Sequence, residues 1–342
     1  MSPSSIEEIR NLLEKPKQIV IIPHKNPDGD AIGSTLALHH YLKKQGHQTT
    51  VISPNDYPGF LKWIPGESTI LKYEQDASKA DDVIKSSEII FTLDFNHLSR
   101  TGDMETVLSE ISDIPFVMID HHQQPDDYAT YMYSDVGMSS TCQMVYHFME
   151  KLGVLNNITP EIATCLYVGI MTDTGSFRFR STTSTTHRVI ADLIDRGADN
   201  TSIHEKIYDQ NTYSKLQLQG VALSNLKIEP EYRTAYITLS QKELDDHQFK
   251  KGDTEGLVNF GLSLEGIIFA AIFIENKSEN IIKISLRSKG DFSVNEFSRN
   301  HFEGGGHHNA AGGKSNLSLE QTVEKFISIL PAYKKELQPC KR

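Results

Sequence analysis

The chain has 342 residues, enough for two ordinary domains, each with its own core. Its 45 acidic against 34 basic side chains give a net charge of −11; this excludes a general duplex-DNA binder, which would be basic, but not a phosphate substrate met through bound cations. Hydrophobic residues make up 38% of the chain, and the longest apolar run, "IIFAAIFI" at 267–274, is too short to cross a bilayer, so no membrane role is expected.

Residues 1–17 read as an amphipathic helix with no apolar signal core. The three cysteines, Cys142, Cys165 and Cys340, show neither metal nor disulfide spacing, and a reducing cytoplasm is the simplest compartment. "KQIVIIPH" (17–24) is a strand, and "DAIGSTLALHHYLKKQG" (30–46) is a helix stopped at Gly46. "QTTVISP" (48–54) is the next strand, followed by a proline-containing surface stretch. "SEIIFTLDF" (87–95) and "IPFVMIDHH" (114–122) are two more strands with a helical segment between them. Segments 138–153 and 159–175 are helical, the first capped by Ser or Thr and the second opened by Thr-Pro-Glu; 182–199 is a further helix ended by Gly197. This alternation predicts an α/β fold with a mostly parallel, doubly wound sheet over residues 1–199.

A helical connector is expected over 200–226, and then the pattern changes. "YRTAYITLS" is a strand, "TEGLVNFGLSL" a short helix, and 266–288 two strands joined by a polar turn. "VNEFSRNHF" is helical, "EGGGHHNAAGG" (303–313) is read as a glycine-rich turn opening toward a helix, and the last helix contains "LEQTVEKFISIL". Residues 227–342 therefore predict a smaller α+β domain with a mixed sheet.

His24, Asp28 and Asp30 follow the first strand, Asp94 ends "SEIIFTLDF", and Asp120, His121 and His122 end "IPFVMIDHH"; Asp173 follows the helical run "CLYVGIM". Ligands of open parallel sheets bind outside the carboxyl ends of the strands. Each residue has an ordinary alternative. Asp28 or Asp30 could cap the following helix, Asp94 and Asp173 could be turn formers, and the two histidines could be surface residues. Coincidence would have to explain all of these segments together. Carboxylates and imidazoles without thiolate suit Mn²⁺ best, with Mg²⁺, Co²⁺ or Zn²⁺ as alternatives. A shared carboxylate would hold two such cations about 3.5–4 Å apart, the spacing used for displacement at phosphorus.

Taken together, "HKNPDGDAIGS" (24–34), the segment around Asp94, "DHH" (120–122), "MTDTGSF" (171–177) and "GGGHHNAAGG" (304–313) resemble the DHH phosphoesterases over nearly the whole chain. The match is to the bacterial group with a C-terminal DHH-associated domain: the nanoRNase/3′-phosphoadenosine-5′-phosphate phosphatase type and related cyclic-dinucleotide enzymes. The resemblance implies two Mn²⁺ ions. His24, Asp28 and Asp94 would hold one, and Asp30, Asp94, His121 and Asp173 the other, with Asp94 bridging and Gly29 giving the loop its freedom. His122 would face the substrate phosphate, and Asp120 would orient the adjacent imidazoles. In the second domain Arg287, the backbone of Gly305 and Gly306, and His307 and His308 would contact substrate phosphate, with the active site in the cleft between domains. Arg100 and Arg178 are weaker candidates, each equally suited to a structural ion pair.

The expected activity is metal-dependent hydrolysis of short oligoribonucleotides to mononucleotides, and of 3′-phosphoadenosine-5′-phosphate to AMP, by two-metal hydroxide attack on phosphorus. A cyclic-dinucleotide phosphodiesterase is the alternative within the class, and a non-catalytic metal-dependent nucleotide sensor is the alternative outside it. The partners expected are short RNA or nucleotides rather than long duplex DNA, and the resemblance also implies a homodimer.

Overall fold

The computed structural model describes residues 1–338, so Cys340 lies outside the described residues. The chain forms two compact units, Met1–Gln210 and a second beginning at Asn211. The segment 200–226, read from the sequence as a connector, is shared out: it holds the last helix of the first unit and the first helix of the second.

The first unit runs α1 (Pro3–Leu12), β1 (Gln18–Ile22), α2 (Gly29–Lys44), β2 (Gln48–Ser53), β3 (Leu71–Lys72), α3 (Ala77–Lys85), β4 (Ile89–Leu93), α4 (Glu105–Ser109), β5 (Phe116–Asp120), β6 (Tyr131–Ser134), α5 (Thr141–Lys151), α6 (Pro160–Asp173), α7 (Ser184–Asp195) and α8 (Asn200–Tyr208). Its six strands are all parallel, in the order β3-β2-β1-β4-β5-β6. The apolar runs of the central strands are continuous because both faces are covered. In β1, Ile19 and Ile21 join one core with Leu36, Phe148 and Leu166, while Val20 and Ile22 join the other with Ile84 and Leu108. Strand order reverses between β1 and β4, and this opens a crevice at their carboxyl ends.

The helix ends follow their residue chemistry. Ser140 caps α5 through the amide of Gln143, Thr159 and Pro160 open α6, and Gly46 and Gly197 take the left-handed conformation after α2 and α7. Three elements carry too little pattern to be read from sequence. β3 is two residues long, α3 buries only Ala80 and Ile84, and β6 is a four-residue edge strand that buries only Tyr133.

The second unit runs α9 (Tyr213–Ser224), β7 (Lys227–Glu229), β8 (Thr234–Leu239), α10 (Gln241–Asp246), α11 (Val258–Ser263), β9 (Phe269–Asn276), β10 (Ile281–Ser288), α12 (Val294–His301), β11 (Gly305–His307), β12 (Ala310–Ser315) and α13 (Leu319–Ile329). Its sheet order is β11-β12-β10-β9-β8-β7; β8 and β9 are parallel and the other pairs antiparallel. Phe269, Phe273, Ile284 and Leu286 pack with Phe297 of α12 and Phe326 of α13, and Ala270 and Ile272 face Leu218, Leu244 and Val258 on the other side.

The glycine-rich segment departs from its sequence reading. It is a β-hairpin, β11 and β12 closed by His308 and Asn309, not a turn opening onto a helix. Close approach explains the glycines: a Cβ on Gly306 would lie 2.5 Å from the Ala310 carbonyl oxygen, and one on Gly313 would lie 2.8 Å from Ser298 Oγ of α12.

Candidate metal centre

The chain leaves β1, passes His24, and enters α2 through Asp28, so the end of the strand and the start of the helix face the same crevice. His24 is buried, and its Nδ1 donates to the Lys25 carbonyl at 2.8 Å. A carbonyl can only accept, so this bond commits Nδ1 and leaves Nε2 facing Asp94, 3.5 Å from Oδ2. Asp28 caps α2: its Oδ1 accepts from the amides of Asp30 and Ala31, each at 3.0 Å. The cap uses one oxygen and leaves the second for a ligand.

Asp30 is buried on the first turn of α2. Its Oδ2 accepts from Thr141 N at 2.6 Å and its Oδ1 from Cys142 N at 2.8 Å. These are the first two amides of α5, so the positive end of that helix faces the carboxylate. Gly29, between the two acids, does not need a left-handed backbone. It is there for contact: a Cβ would meet Thr172 Oγ1 at 2.4 Å, so only glycine lets α2 lie this close to α6.

Asp94 follows β4 with φ of 67°, a left-handed conformation that costs a non-glycine residue on the order of 1 kcal/mol. The turn points its two oxygens different ways. Oδ2 faces His24; Oδ1 lies 3.5 Å from His121 Nε2 and accepts from Thr141 Oγ1 at 3.0 Å. His121 donates from Nδ1 to the Met138 carbonyl at 3.3 Å. Its Nε2 is thereby aimed at three carboxylates: Asp94, Asp30 at 3.8 Å and Asp173 at 3.6 Å.

Asp120 is fully buried at the end of β5 and holds His122 twice, through Nδ1 at 2.7 Å and through the backbone amide at 3.1 Å. The expectation that Asp120 orients both adjacent histidines is corrected here, because His121 is oriented by the Met138 carbonyl. With Nδ1 committed to Asp120, His122 meets a ligand through Nε2.

Among the groups of possible ligand atoms that fall within 4.8 Å are His24/Asp28/Asp94 and Asp30/Asp94/His121, and both contain Asp94. Donors around one ion at about 2.1 Å stand roughly 3.0–3.4 Å apart. The histidine–carboxylate distances of 3.5–3.8 Å therefore need a contraction of only a few tenths of an ångström. Among the described residues no lysine or arginine pairs with Asp28, Asp30, Asp94 or Asp173. Burial drives the Asp30 carboxyl well above its usual range, with Asp94 and Asp173 adding. Burial also lifts Asp173 to about 6, against His121 and with help from Asp28 and Asp94. Burial alone would raise Asp94, but the bonds from His121 and His24 hold it well below. Burial opposes protonation of His121, yet Asp94, Asp173 and Asp30 push it well above normal. A buried anionic cluster that loads its imidazoles with protons is short of positive charge, and divalent cations on these donors fit it.

Thr141 was not found from sequence. It ties the carboxylates of Asp30 and Asp94 to one residue, and only the fold brings α5 to them. Neither arginine candidate pairs with the carboxylates of this cluster, although the Arg100 charge reaches His24. Arg100 is exposed and its carbonyl accepts from Lys25 N at 2.7 Å; Arg178 donates from Nε to the Gly175 carbonyl at 2.7 Å.

In the second unit the register aligns Ala270, Arg287, Ala310 and His307 in one row across β9, β10, β12 and β11. Arg287 and His307 thus share the sheet face opposite α12 and α13, with only a methyl group between them in the row. His308 is exposed in the turn. The Gly306 amide donates to Asn295 Oδ1 at 3.0 Å, so the expected anion contact from that amide is not supported; Gly305 pairs with Gly312 in the sheet.

The model of the "DHH family, N-terminal domain" matches residues 18–170, and that of the "DHHA1 domain" matches residues 233–336. The bifunctional oligoribonuclease and PAP phosphatase NrnA of Thermus thermophilus is 30% identical over 97% of this chain and 93% of that protein. The chain belongs to the DHH family. DHH phosphoesterases are metal-dependent, and the chain is a hydrolase of phosphoester bonds. An exopolyphosphatase-related protein of Bacteroides fragilis superposes at a TM-score of 0.94 with 38% identity, over 99% of this chain and 98% of that one. Manganese-bound RecJ of Thermus thermophilus shares the fold, with a TM-score of 0.54 at 13% identity over 98% of this chain and 55% of that one. Among the described residues no helix is long and apolar enough to cross a membrane.

Proposed function

We propose that the protein hydrolyses short oligoribonucleotides to mononucleotides, and 3′-phosphoadenosine-5′-phosphate to AMP, with two Mn²⁺ ions. The observation that carries this reading is Asp94, whose left-handed turn sends one oxygen to His24 and the other to His121. His24, Asp28 and Asp94 would hold one ion, and Asp30, Asp94, His121 and Asp173 the other. Bound there, the ions supply Lewis acidity toward water and charge neutralisation at a phosphate.

The chain's own residues do the rest. Asp120 holds the His122 ring by Nδ1, so that Nε2 can hold or give a proton at a phosphate oxygen. Arg287 and His307, in one row of the second sheet with Ala310 between them, are suited to grip a further phosphate group.

A panel of a ribodinucleotide, longer RNA, the 3′,5′-bisphosphorylated nucleotide, a cyclic dinucleotide and pyrophosphate, each with Mn²⁺, tests the reading. Highest kcat/KM on the dinucleotide, with turnover of the bisphosphorylated nucleotide, is expected. Preference for the cyclic dinucleotide or for pyrophosphate would overturn the substrate assignment.

A further inference from the structure

Asp173 ends α6, and the chain beyond it takes an unusual course. Gly175, Ser176 and Phe177 are successive left-handed residues, with φ of 56°, 61° and 65°. Two of the three are not glycine, and such conformations persist only where the surroundings enforce them. Phe177 supplies the enforcement: its ring packs against Tyr167 at 5.9 Å and His187 at 5.9 Å, with Tyr167 itself buried. The Thr174 hydroxyl donates to the Ile170 carbonyl and accepts from the Phe177 amide at 3.0 Å.

This turn folds the chain back on the residue next to Asp173. The amides of Arg178 and Phe179 both donate to the Thr174 carbonyl, each at 3.0 Å. Phe179 is therefore pinned one turn from Asp173, yet its ring is 37% exposed. The ring tip rests on Gly175, where a Cβ would lie 2.5 Å from Cζ, so the glycine seats the ring. A single exposed phenylalanine is unremarkable on a protein surface. A strained, wedged and doubly hydrogen-bonded turn that ties one to Thr174, the residue after a carboxylate of the candidate metal centre, is a different matter. The backbone amides of residues 175–179 are all met within the turn, and the Phe179 ring stays exposed beside the exposed Arg178 and Arg180.

We propose that Phe179 is a stacking platform for a nucleobase of the substrate. The inference rests on the nucleotide reading above and adds a source of base recognition in the first unit. Base–aromatic stacking tolerates any base, so it selects nucleotides over other phosphoesters without selecting sequence, and is worth on the order of 10- to 100-fold in affinity.

The test uses Mn²⁺-loaded full-length protein, with wild type, Phe179→Leu and Phe179→Trp compared by calorimetric binding of AMP and of ribose 5-phosphate. Wild type should bind AMP ~10- to 100-fold more tightly than ribose 5-phosphate. Phe179→Leu should erase most of that ratio at unchanged Mn²⁺ content and unchanged affinity for ribose 5-phosphate, and Phe179→Trp should keep it. An undiminished ratio in Phe179→Leu, or equal losses for both ligands, would overturn the platform. Dinucleotide turnover by wild type is measured alongside: its absence would sink the substrate assignment, while the binding ratio still decides the role of Phe179.

Discussion

The two units handle buried polarity in opposite ways. The first buries three carboxylates (Asp30, Asp94, Asp120) and four imidazoles (His24, His39, His47, His121). The second buries hydroxyls and the amide of Asn295 but, among the described residues, no carboxylate, imidazole, lysine or arginine. Burying charge without a partner is costly, and a stability-driven fold avoids it. The first unit gathers its buried carboxylates at one place, around the carboxyl ends of β1, β4 and β5, where the crossover of a parallel sheet opens a crevice. The second unit instead places Arg287 and His307 on the face of a mixed sheet near its edge. Chemistry in one unit and substrate grip in the other is the division of labour this contrast suggests.

The sharpest way to break the contrast is Asp94→Ala. Losing the shared carboxylate should cost activity on the order of 10³-fold or more, since metal stabilisation of developing charge is worth several kcal/mol. Near-normal turnover in steady-state assays would remove Asp94 from the centre. His122→Ala should slow turnover by ~10²–10⁴-fold while retaining metal, as a proton or hydrogen-bond donor would. Metal analysis on the same preparation separates this from a ligand role, which would show as lost Mn²⁺.

Acid should divide the units as well. Burial, with His40 and Lys43 adding, lowers His39 to about 4, while its ring bonds Thr49 at 2.8 Å. An unfolded histidine titrates near 6.5, so between about 6.5 and 4 the unfolded chain takes up a proton that the fold refuses. Stability is thus lost as pH falls through that window, by about 3 kcal/mol at most from this group. Urea unfolding at pH 7 and pH 4.5 should show a smaller acid loss in His39→Gln than in wild type; equal losses would mean that His39 is not the sensor.

The mildest expected change is His307→Ala. It should leave the first unit's metals in place and lower kcat/KM by ~10- to 150-fold, the worth of a charge-assisted hydrogen bond, on substrates with a second phosphate. Substrates with only the scissile phosphate should be affected much less, and equal losses on both would refute the division of labour.

Much of this was legible in the sequence because strand ends carry their residue types openly. "QIVII" before His24 and "FVMI" before Asp120 announce buried strands, and His and Asp at their ends are out of place unless they serve a ligand. What was not legible depends on partners distant in sequence. Thr141 reads as one more residue near a helix cap until α5 meets Asp30 and Asp94. Which histidine Asp120 holds follows from Met138 reaching His121 first. Gly29 looks like a flexible hinge and is instead a contact with Thr172. The row of Arg287, Ala310 and His307 exists only once the glycine-rich segment pairs as a hairpin, and its small residues gave no strand signal.

Asp94 is proposed to join two cation sites. Titrating metal-free protein with Mn²⁺ and recording electron paramagnetic resonance tests it most directly, because ions about 3.5–4 Å apart on a shared carboxylate couple magnetically. Wild type should take up two Mn²⁺ per chain with a coupled spectrum, and Asp94→Ala at most one uncoupled ion. A single ion per wild-type chain, or two that never couple, would contradict it.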